Sequence, residues 1–456
     1  MNTWNILWRL YKLKKNTAKT PEQLKKLQEE KLHHLLRHAY DHSAYYHNLF
    51  ESAGISRQEL DHVSLEKIPV LDKQTLLSRF EEIVTVPNLT QEELRTFDQN
   101  EVLSREPYLG KYHIVHSSGS TGKPGYFVYD ENAWSSMLVG IIRAALWGMS
   151  IPKILKFLAE RPRIAFLAAT DGRYGGAMAV GDGIEGVGAS ALNLDINTPL
   201  DEWIRSLREF NPNMVIGYPS AVKILCQLLE RGELTLSISR VVTCGEPLDP
   251  GLRSYMERFF KTEIINFYGS SESLAMGVET DTREGMLLFD DMNIIEARGD
   301  EIYLTCLYNE LQPLIRYRLT DRITLQEPSK DDRYPFSRAM GLLGRSEDIL
   351  WFTDKTGSRE FLHPLAVEGF CLEGLKDYQF VQTSADAFEM SAELAKGAPA
   401  ETICNELKWQ MDDILAEKRL DYVHFTVRIV ERILPDPSTG KKPLIVRKLE
   451  EGEYLL

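Results

Sequence analysis

Glycine and hydroxyl side chains fill the segment from Ser117 to Gly125, whose sequence is SSGSTGKPG. Such a loop presents several backbone N–H and O–H donors to one anion, which suits a polyphosphate. It is not a Walker A loop, because that motif requires a glycine where Ser117 stands and a serine or threonine where Pro124 stands. The alternative to phosphate binding is that this segment forms a surface turn. The candidate phosphate contacts are Ser117, Ser118, Gly119, Ser120, Thr121, Gly122 and Lys123.

A second polar segment, FYGSSE, follows a predicted strand and ends in Glu272. Ligands of α/β proteins bind beyond the carboxyl ends of the strands, so this segment is a candidate for ligand contact. A carboxylate there suits Mg²⁺, a hard cation that prefers oxygen ligands and bridges to phosphates. The alternative for Glu272 is the first turn of a helix.

Three further motifs carry charged side chains at close spacing. The segment PLIRYRLTD ends in Asp321, whose carboxylate can accept two hydrogen bonds from a ribose diol, while its arginines suit a phosphate. The alternative to nucleotide binding is that the arginine and aspartate of this segment form a structural ion pair. The segment GRSED contains Arg345 and Glu347, and Lys441 follows Pro435 by six positions with Gly440 before it.

Short apolar runs alternate with amphipathic stretches from about residue 113 onward. Strands are predicted at 163–169, 214–217, 240–243 and 263–268, and helices at 131–149, 200–210, 219–231 and 250–260. This alternation predicts parallel βαβ units and an α/β fold class. Upstream, residues 21–55 have a helical pattern.

The pattern changes towards the carboxyl terminus. A β-rich region is predicted over 286–327, and a glycine-flanked, charged connection over 341–348 has the composition of a hinge. After it, a helix at 400–417 and a strand at 422–431 suffice for a small α+β domain. We therefore expect a large domain over residues 1–343 and a small, mobile one over 344–456.

Composition narrows the classes of function. The formal net charge of −14 argues against a nucleic-acid-binding protein, because neutralising phosphates requires an excess of Lys and Arg. The five cysteines are scattered without a C-x-x-C pair, which predicts reduced core thiols in a cytoplasmic protein rather than a zinc site. No apolar run has the length needed to cross a bilayer.

The amino terminus interleaves aromatic and basic residues, among them Trp4, Trp8, Tyr11, Lys12 and Lys15. One interpretation is a basic amphipathic helix that lies on an anionic membrane surface. The other is a terminal helix whose aromatic side chains pack on the domain. The oligomeric state, a homodimer included, stays open at this point.

The five motifs, in this order, resemble those of the adenylate-forming superfamily, and the chain is most similar to its phenylacetate–CoA ligase-like branch. The resemblance spans nearly the whole chain and includes amino-terminal features such as Tyr45-Tyr46 and the segment IPVLDK over 68–73. Gly217-Tyr218-Pro219-Ser220 and Gly245-Glu246-Pro247 are similar to internal motifs of this branch. The sequence departs from the usual pattern in three places: Glu347 stands where Asp is usual, Leu319-Thr320 replaces the more frequent Thr-Arg or Thr-Gly before the aspartate, and Cys244-Gly245 replaces Gly-Ala.

The resemblance implies a role for each motif. The 117–123 loop would surround the ATP phosphates, Glu272 would hold Mg²⁺, Asp321 would bind the ribose, and Arg345 would lie near the nucleotide at the hinge. Lys441 would reach the oxygens between carboxylate and α-phosphate, although Lys442 beside it leaves a second choice. Residues implied to border or stack near the adenine, or to lie beside Glu272, are Gly245, Glu246, Pro247, Tyr268, Gly269, Ser270 and Ser271.

The activity implied is ATP-dependent conversion of a carboxylic acid, an aryl or arylacetic acid being one candidate, to its acyl-adenylate with release of pyrophosphate. Coenzyme A would then accept the acyl group as a thioester. Two alternatives stay open: transfer to an amine, hydroxyl or carrier protein, and a degenerate nucleotide-binding protein without turnover.

Overall fold

The computed structural model describes residues 3–98, 106–116, 125–169, 182, 188–248, 250–279, 285–299, 301–319, 321, 323–340, 349–354, 356–367, 370, 372–434 and 444–447. Its α-helices are α1 (Thr3–Asn16), α2 (Pro21–His42), α3 (Ala44–Ser52), α4 (Lys73–Ser78), α5 (Phe80–Ile83), α6 (Gln91–Asp98), α7 (Glu131–Ala145), α8 (Ile151–Ala159), α9 (Leu200–Phe210), α10 (Pro219–Glu230), α11 (Pro250–Phe260) and α12 (Ala400–Glu417). Its strands are β1 (His113–His116), β2 (Tyr126–Tyr129), β3 (Arg163–Ala168), β4 (Ser190–Asp195), β5 (Met214–Gly217), β6 (Arg240–Thr243), β7 (Ile264–Ser270), β8 (Ser273–Glu279), β9 (Met286–Leu288), β10 (Asn293–Arg298), β11 (Glu301–Cys306), β12 (Tyr317–Leu319), β13 (Thr324–Gln326), β14 (Arg338–Met340), β15 (Leu350–Thr353), β16 (Arg359–Leu362), β17 (Leu375–Ser384), β18 (Ala387–Leu394), β19 (His424–Val430) and β20 (Ile445–Arg447).

Within the described part of the chain, the largest sheet has nine strands in the order β13-β14-β9-β8-β7-β6-β5-β3-β4. The strands from β4 to β7 are parallel to their neighbours, and those from β7 to β13 are antiparallel. Helices α9, α10 and α11 make the crossovers that parallel strands need. The carboxyl ends of β5, β6 and β7 therefore lie at one edge of the sheet, and the predicted α/β class is confirmed.

Helix α9 is an example of a crossover helix that packs on the sheet through its apolar face. In α9, Trp203 and Leu207 are four residues apart and fully buried, so they lie on the same side of the helix. The helix ends at Asn211, which has a left-handed backbone (φ 49°) and donates its N–H to Leu207, a common way to terminate a helix. The apolar period and the cap together explain why the predicted bounds 200–210 match the structure.

The helical pattern predicted over 21–55 is two helices rather than one. Ser43 ends α2 and begins α3, where its side chain accepts a hydrogen bond from the Tyr46 N–H. The Tyr46 hydroxyl donates to the Pro313 carbonyl at 2.8 Å and accepts from the Ile315 N–H at 3.1 Å. The amino-terminal helices thereby fix the backbone that leads to Asp321.

Helix α1 packs on the domain through its aliphatic side chains. Ile6 and Leu10 are 0% and 2% exposed, whereas Trp4, Trp8 and Tyr11 are 81%, 54% and 47% exposed. The interpretation in which the aromatic side chains of this helix pack on the domain is therefore wrong for these three. None of the helices in the described ranges is long and apolar enough to cross a bilayer.

The chain after residue 349 builds a separate four-stranded sheet in the order β19-β18-β17-β20, with α12 packed on it. Its apolar core, which includes Phe380, Phe388 and Leu407, draws only on residues from 350 onward. It contacts the turn before α9 through Lys418, whose Nζ donates to the Thr198 carbonyl at 2.7 Å and lies 3.2 Å from Glu360 on β16. Burial lowers the pKa of Lys418 to about 8.

The four cysteines described are free thiols, as predicted, and Cys226, Cys244 and Cys306 are buried. Burial raises the pKa of Cys226 to about 12 and that of Cys306 to about 11. These thiols are therefore protonated at neutral pH and chemically inert.

We expect Asp290→Asn to change how stability depends on pH. Burial raises the pKa of Asp290 to about 7, although its Oδ2 accepts a hydrogen bond from the Ser337 N–H. The unfolded carboxyl ionises near pH 4, so wild-type stability falls as pH rises from about 4 to 7. The variant lacks this loss, and relative to wild type it should gain roughly 2–3 kcal/mol between pH 4.5 and 7.5, after allowance for solvent screening. Urea unfolding at both pH values measures the difference.

The neighbouring Asp291→Asn variant is the control for this prediction. Asp291 forms a buried pair with Arg143 at 2.8 and 3.0 Å. Burial acts to raise the pKa of Asp291, but Arg143 outweighs it and lowers that pKa. Asp291→Asn should therefore destabilise the protein at pH 7.5, by about 3–5 kcal/mol. A loss of stability at pH 7.5 in both variants would contradict the account of Asp290.

Candidate active site

Three polar segments follow the ends of neighbouring parallel strands. Tyr218 to Ser220 follow β5, Cys244 to Pro247 follow β6, and Tyr268 to Glu272 end and follow β7. The strands are level at this edge, because Gly217 pairs with Thr243 and Thr243 with Asn266. The segments therefore meet at the carboxyl edge of the sheet, where α/β proteins bind ligands.

Gly245 is required by the geometry of this edge. Its φ of +79° lies in the left-handed region, and a Cβ placed on it would approach the Tyr218 ring to 2.6 Å. Any other residue would be strained and would displace the tyrosine. The Gly-Glu-Pro segment and the Tyr218 ring thus fit closely against each other.

The carboxylate of Glu246 lies in a cluster with Ser220 and His363. The Ser220 hydroxyl is 2.9 Å from Glu246 Oε1 and 2.6 Å from His363 Nε2, and His363 Nε2 lies 3.1 Å from Glu246 Oε1. Burial acts to raise the pKa of Glu246, but the hydrogen bond and charge of His363, with the hydrogen bonds from Ser220, outweigh it and lower that pKa. His363 follows β16, so the carboxyl-terminal part of the chain contacts the candidate site here.

The structure brings Tyr268 and Asp321 together, although 53 residues separate them in sequence. The Tyr268 hydroxyl donates a hydrogen bond to Asp321 Oδ2 at 2.7 Å. Burial raises the pKa of Tyr268 well above its usual value, and the Asp321 charge raises it further. One carboxylate oxygen of Asp321 is thereby oriented by a neutral phenol.

Glu272 lies in a tight β-hairpin turn between β7 and β8, so the alternative of a helix start is wrong. The hairpin depends on Gly269, because a Cβ there would approach the Leu274 carbonyl oxygen to 2.4 Å. The Glu272 carbonyl accepts a hydrogen bond from the Tyr129 hydroxyl at 3.2 Å. The turn is therefore held from the β1–β2 hairpin as well as by its own strands.

The surroundings of Glu272 suit a hard cation. Burial raises the pKa of its carboxyl and the neighbouring Asp321 charge raises it further, whereas a hydrogen bond with Ser270 and the Lys73 charge lower it. The Tyr317 hydroxyl also hydrogen-bonds with Glu272, and burial raises the pKa of this tyrosine. Carboxylate and hydroxyl oxygens are the ligands that Mg²⁺ prefers, and a divalent ion would offset the charge repulsion that disfavours an ionised Glu272.

The two arginines of the PLIRYRLTD segment do not lie with Asp321. Arg316 is buried and donates to the carboxylate of Glu296 at 2.9 Å and to the Ile68 carbonyl at 2.6 Å. Arg318 pairs with Glu301 at 3.3 Å. The suggestion that these arginines bind a phosphate is not supported, since both are used in structural ion pairs with other acids.

Several predicted residues lie outside the described ranges. They are the whole loop Ser117, Ser118, Gly119, Ser120, Thr121, Gly122 and Lys123, together with Arg345, Glu347, Lys441 and Lys442. Their roles stay predictions from the sequence. The described candidates are Gly245, Glu246, Pro247, Tyr268, Gly269, Ser270, Ser271, Glu272 and Asp321.

Sequence reasoning missed His363 and Tyr317. Tyr317 lies inside the PLIRYRLTD segment, so attention to its hydroxyl as well as to the charged residues would have found it. His363 carried no signal, because its flanking residues form no polar motif and its partners lie 143 and 117 positions upstream.

Comparison with known proteins gives consistent results at low identity. No protein-family model matches the chain. A phenylacetate-coenzyme A ligase from Escherichia coli (strain K12) is 27% identical over 352 residues, 72% of each chain. The enzyme of the same name from Thermus thermophilus is 23% identical over 406 residues, 82% of each chain.

Solved structures with a similar fold are also ligases. A 2-hydroxyisobutyryl-CoA ligase in complex with 2-HIB-AMP and CoA, in the thioesterification state, has a TM-score of 0.61 and 20% identity, with 95% of this chain and 91% of that chain covered. The same ligase in the postadenylation state gives a TM-score of 0.54 at 19% identity, with the same shares covered. Together the comparisons confirm the resemblance that the motifs indicated and the α/β fold of adenylate-forming CoA ligases.

Proposed function

We propose that this chain, which is similar to the phenylacetate–CoA ligase-like branch of the adenylate-forming superfamily, uses ATP to convert a carboxylic acid to its acyl-adenylate and then to a coenzyme A thioester. The observation that carries the proposal is the cluster of Tyr268, Asp321 and Glu272 at the carboxyl edge of the parallel strands. It places acceptors for ribose and for a hard cation side by side, which ATP with Mg²⁺ requires.

Each part of the cluster has a role in this proposal. Asp321, oriented by Tyr268, accepts hydrogen bonds from the ribose hydroxyls, and the Gly245-Glu246-Pro247 segment borders the adenine. Glu272 would hold Mg²⁺, which when bound offsets the charge that gathers at the α-phosphate. The 117–123 loop would surround the phosphates, and Lys441 would donate to the reacting oxygens.

We further propose that the chain divides into a large domain over residues 1–343 and a small domain over 344–456 that changes orientation between the two half-reactions. In support, the residues from 350 onward have a sheet and an apolar core of their own. Their contacts with the large domain are both polar, such as His363 with Ser220 and Arg419 with Asp201, and apolar, since the Phe361 ring packs on Trp203.

Product analysis across a panel of carboxylic acids tests the acceptor and the substrate class. With aryl and arylacetic acids in the panel, we expect AMP, pyrophosphate and an acyl-CoA thioester when ATP, Mg²⁺ and coenzyme A are present. Replacement of coenzyme A by hydroxylamine should trap the acyl group without a thioester. Adenylate formation that coenzyme A never discharges would favour transfer to an amine, hydroxyl or carrier protein instead.

Asp321→Ala is expected to weaken the binding of both ATP and AMP, because the ribose hydroxyls lose their acceptor at a cost of about 1–3 kcal/mol. Tyr268→Phe is the matched control, since it removes the donor to Asp321 but keeps the carboxylate. The control should weaken AMP binding by less. Calorimetric titration with AMP measures both, and an unchanged AMP affinity in Asp321→Ala would contradict the ribose assignment.

We also propose that α1 contacts an anionic membrane surface. Two of its three exposed aromatic side chains lie beside lysines, with Lys12 Nζ 3.7 Å from the Trp8 ring centroid and Lys15 Nζ 4.9 Å from that of Tyr11. This basic aromatic face contrasts with the net charge of −14 of the whole chain. Aromatic rings at the headgroup level with lysines towards anionic lipid are typical of interfacial helices.

Sedimentation with vesicles tests the membrane contact. We expect binding to phosphatidylcholine vesicles that contain phosphatidylserine, weakened by salt, and little binding to phosphatidylcholine alone. Trp8→Ser should weaken binding about tenfold. Trp409→Ser is the matched control, because Trp409 is 60% exposed on α12. Equal losses in the two variants, or equal binding to both vesicles, would contradict this contact.

A further inference from the structure

A cavity of about 200 Å³ lies beside α1, near the edge of the sheet opposite the candidate active site. Arg240, the first residue of β6, donates to the carbonyls of Ala145 and Trp147 at 2.7 and 2.9 Å, so the cavity wall is fixed at the edge where the parallel strands begin. The candidate active site lies where those strands end. The lining residues are Leu10, Lys14, Thr17, Arg143, Leu146, Trp147, Gly148, Met149, Ser150, Ile154, Arg333 and Tyr334.

Two buried donors of the lining residues have no acceptor in the described part of the chain. These are Arg143 Nε and Trp147 Nε1. Arg143 is 2% exposed, and its other two nitrogens are held by Asp291 at 2.8 and 3.0 Å. A buried donor without an acceptor costs about 1–3 kcal/mol, so two of them at one cavity indicate that something accepts from them there.

Cationic side chains line the cavity. They are Lys14, Arg143 and Arg333, of which Arg143 is paired with Asp291, and the lining includes no acidic side chain. Burial lowers the pKa of Lys14 and the Arg143 charge lowers it further, and the Lys14 Nζ donates to the Met149 carbonyl at 2.6 Å. Ser150, which precedes the first turn of α8, adds the positive end of a helix dipole. Donors and positive charge together select an oxyanion.

The remaining wall is apolar. Leu10, Leu146 and Ile154 belong to one apolar cluster between α1, α7 and α8, and their side chains form part of the lining. The volume far exceeds the ~10–15 Å³ that a single water needs. An inorganic anion would leave this apolar surface in contact with water, whereas an organic anion would cover it.

We propose that this cavity binds a small organic carboxylate. The carboxylate accepts from Arg143 Nε and Trp147 Nε1 beside the Lys14 ammonium group, and the apolar body of the ligand packs on Leu10, Leu146 and Ile154. The inference rests on these residues and not on the proposed function, because the cavity is separated from the candidate active site by the length of the strands.

The indole N–H resonance of Trp147 provides a direct test. The chain has seven tryptophans, and Trp147→Phe assigns this signal by its loss from the nitrogen–proton spectrum. Sodium benzoate, sodium phosphate and sodium chloride are titrated at equal ionic strength. We expect benzoate to shift the Trp147 signal saturably, and phosphate and chloride to leave it unshifted.

Variants on α1 locate the site. Lys14→Met should weaken benzoate binding, as followed at Trp147, by about tenfold, because it removes a charged donor. Lys12→Met on the same helix is the matched control, since Lys12 does not line the cavity, and it should bind benzoate as wild type does. Unshifted signals of Trp203, Trp351 and Trp409, which lie outside α1, establish that both variants are folded. The proposal is overturned by a Trp147 signal that benzoate does not move, by a response to phosphate alone, or by equal affinity in Lys14→Met.

Discussion

Lys441→Ala is expected to lower the rate of adenylate formation about 10²–10³-fold, the usual effect of removing one donor to a transition state. The attack of a carboxylate on ATP gathers negative charge at the α-phosphate, and the resemblance places this lysine beside that charge. Acyl transfer from a presynthesised adenylate to coenzyme A should stay largely intact, since the phosphate is then only a leaving group. Single-turnover assays of the two half-reactions separate these rates.

Lys442→Ala is the control for this prediction. Both lysines lie outside the described residues, and the choice of Lys441 rests on its distance of six positions from Pro435. The control should change adenylate formation little. If Lys442→Ala alone abolished the first half-reaction, the role would belong to the neighbouring lysine and the spacing argument would be wrong.

Glu272→Gln should produce the second large effect, a roughly 10²-fold loss of Mg²⁺-dependent turnover. The substitution keeps the size of the side chain but removes the charge that would hold the cation. AMP binding, which does not depend on this ion, should change little. Steady-state rates over a range of Mg²⁺ concentrations measure the effect, and we expect half-saturation to move to higher Mg²⁺.

Tyr317→Phe is the matched control for Glu272→Gln. It removes a hydroxyl that hydrogen-bonds with Glu272 but keeps the carboxylate. We expect a smaller loss of turnover and nearly unchanged half-saturation by Mg²⁺. The cation assignment fails if Glu272→Gln keeps the wild-type Mg²⁺ dependence, or if it weakens AMP binding as much as Asp321→Ala does.

Local patterns predicted much of the fold. The predicted bounds 200–210, 250–260 and 400–417 match helices α9, α11 and α12, because each has an apolar period and a clear helix end. The rule that ligands bind at the carboxyl ends of parallel strands predicted Tyr268 and Glu272 as site residues, and the family resemblance implied Glu246. Helices and strands whose bounds depend on residues close in sequence can therefore be predicted from the sequence.

Contacts between distant segments were not predictable in the same way. One alternative for Glu272 was the first turn of a helix. The structure instead has a hairpin turn there, because β8 runs antiparallel beside β7. The contact of His363 with Ser220 depends on how the carboxyl-terminal part packs on the large sheet, which no local period encodes. An arginine can bind a phosphate, yet the buried guanidinium of Arg316 is held by the Glu296 carboxylate and the Ile68 carbonyl, both distant in sequence.

Exchange of labelled pyrophosphate into ATP without coenzyme A reports formation of the acyl-adenylate alone. We expect exchange that requires both Mg²⁺ and a carboxylic acid, with aryl and arylacetic acids among those tested. Omission of the acid should abolish the exchange. A thioester formed with release of ADP and phosphate, and without any exchange of pyrophosphate, would contradict the account.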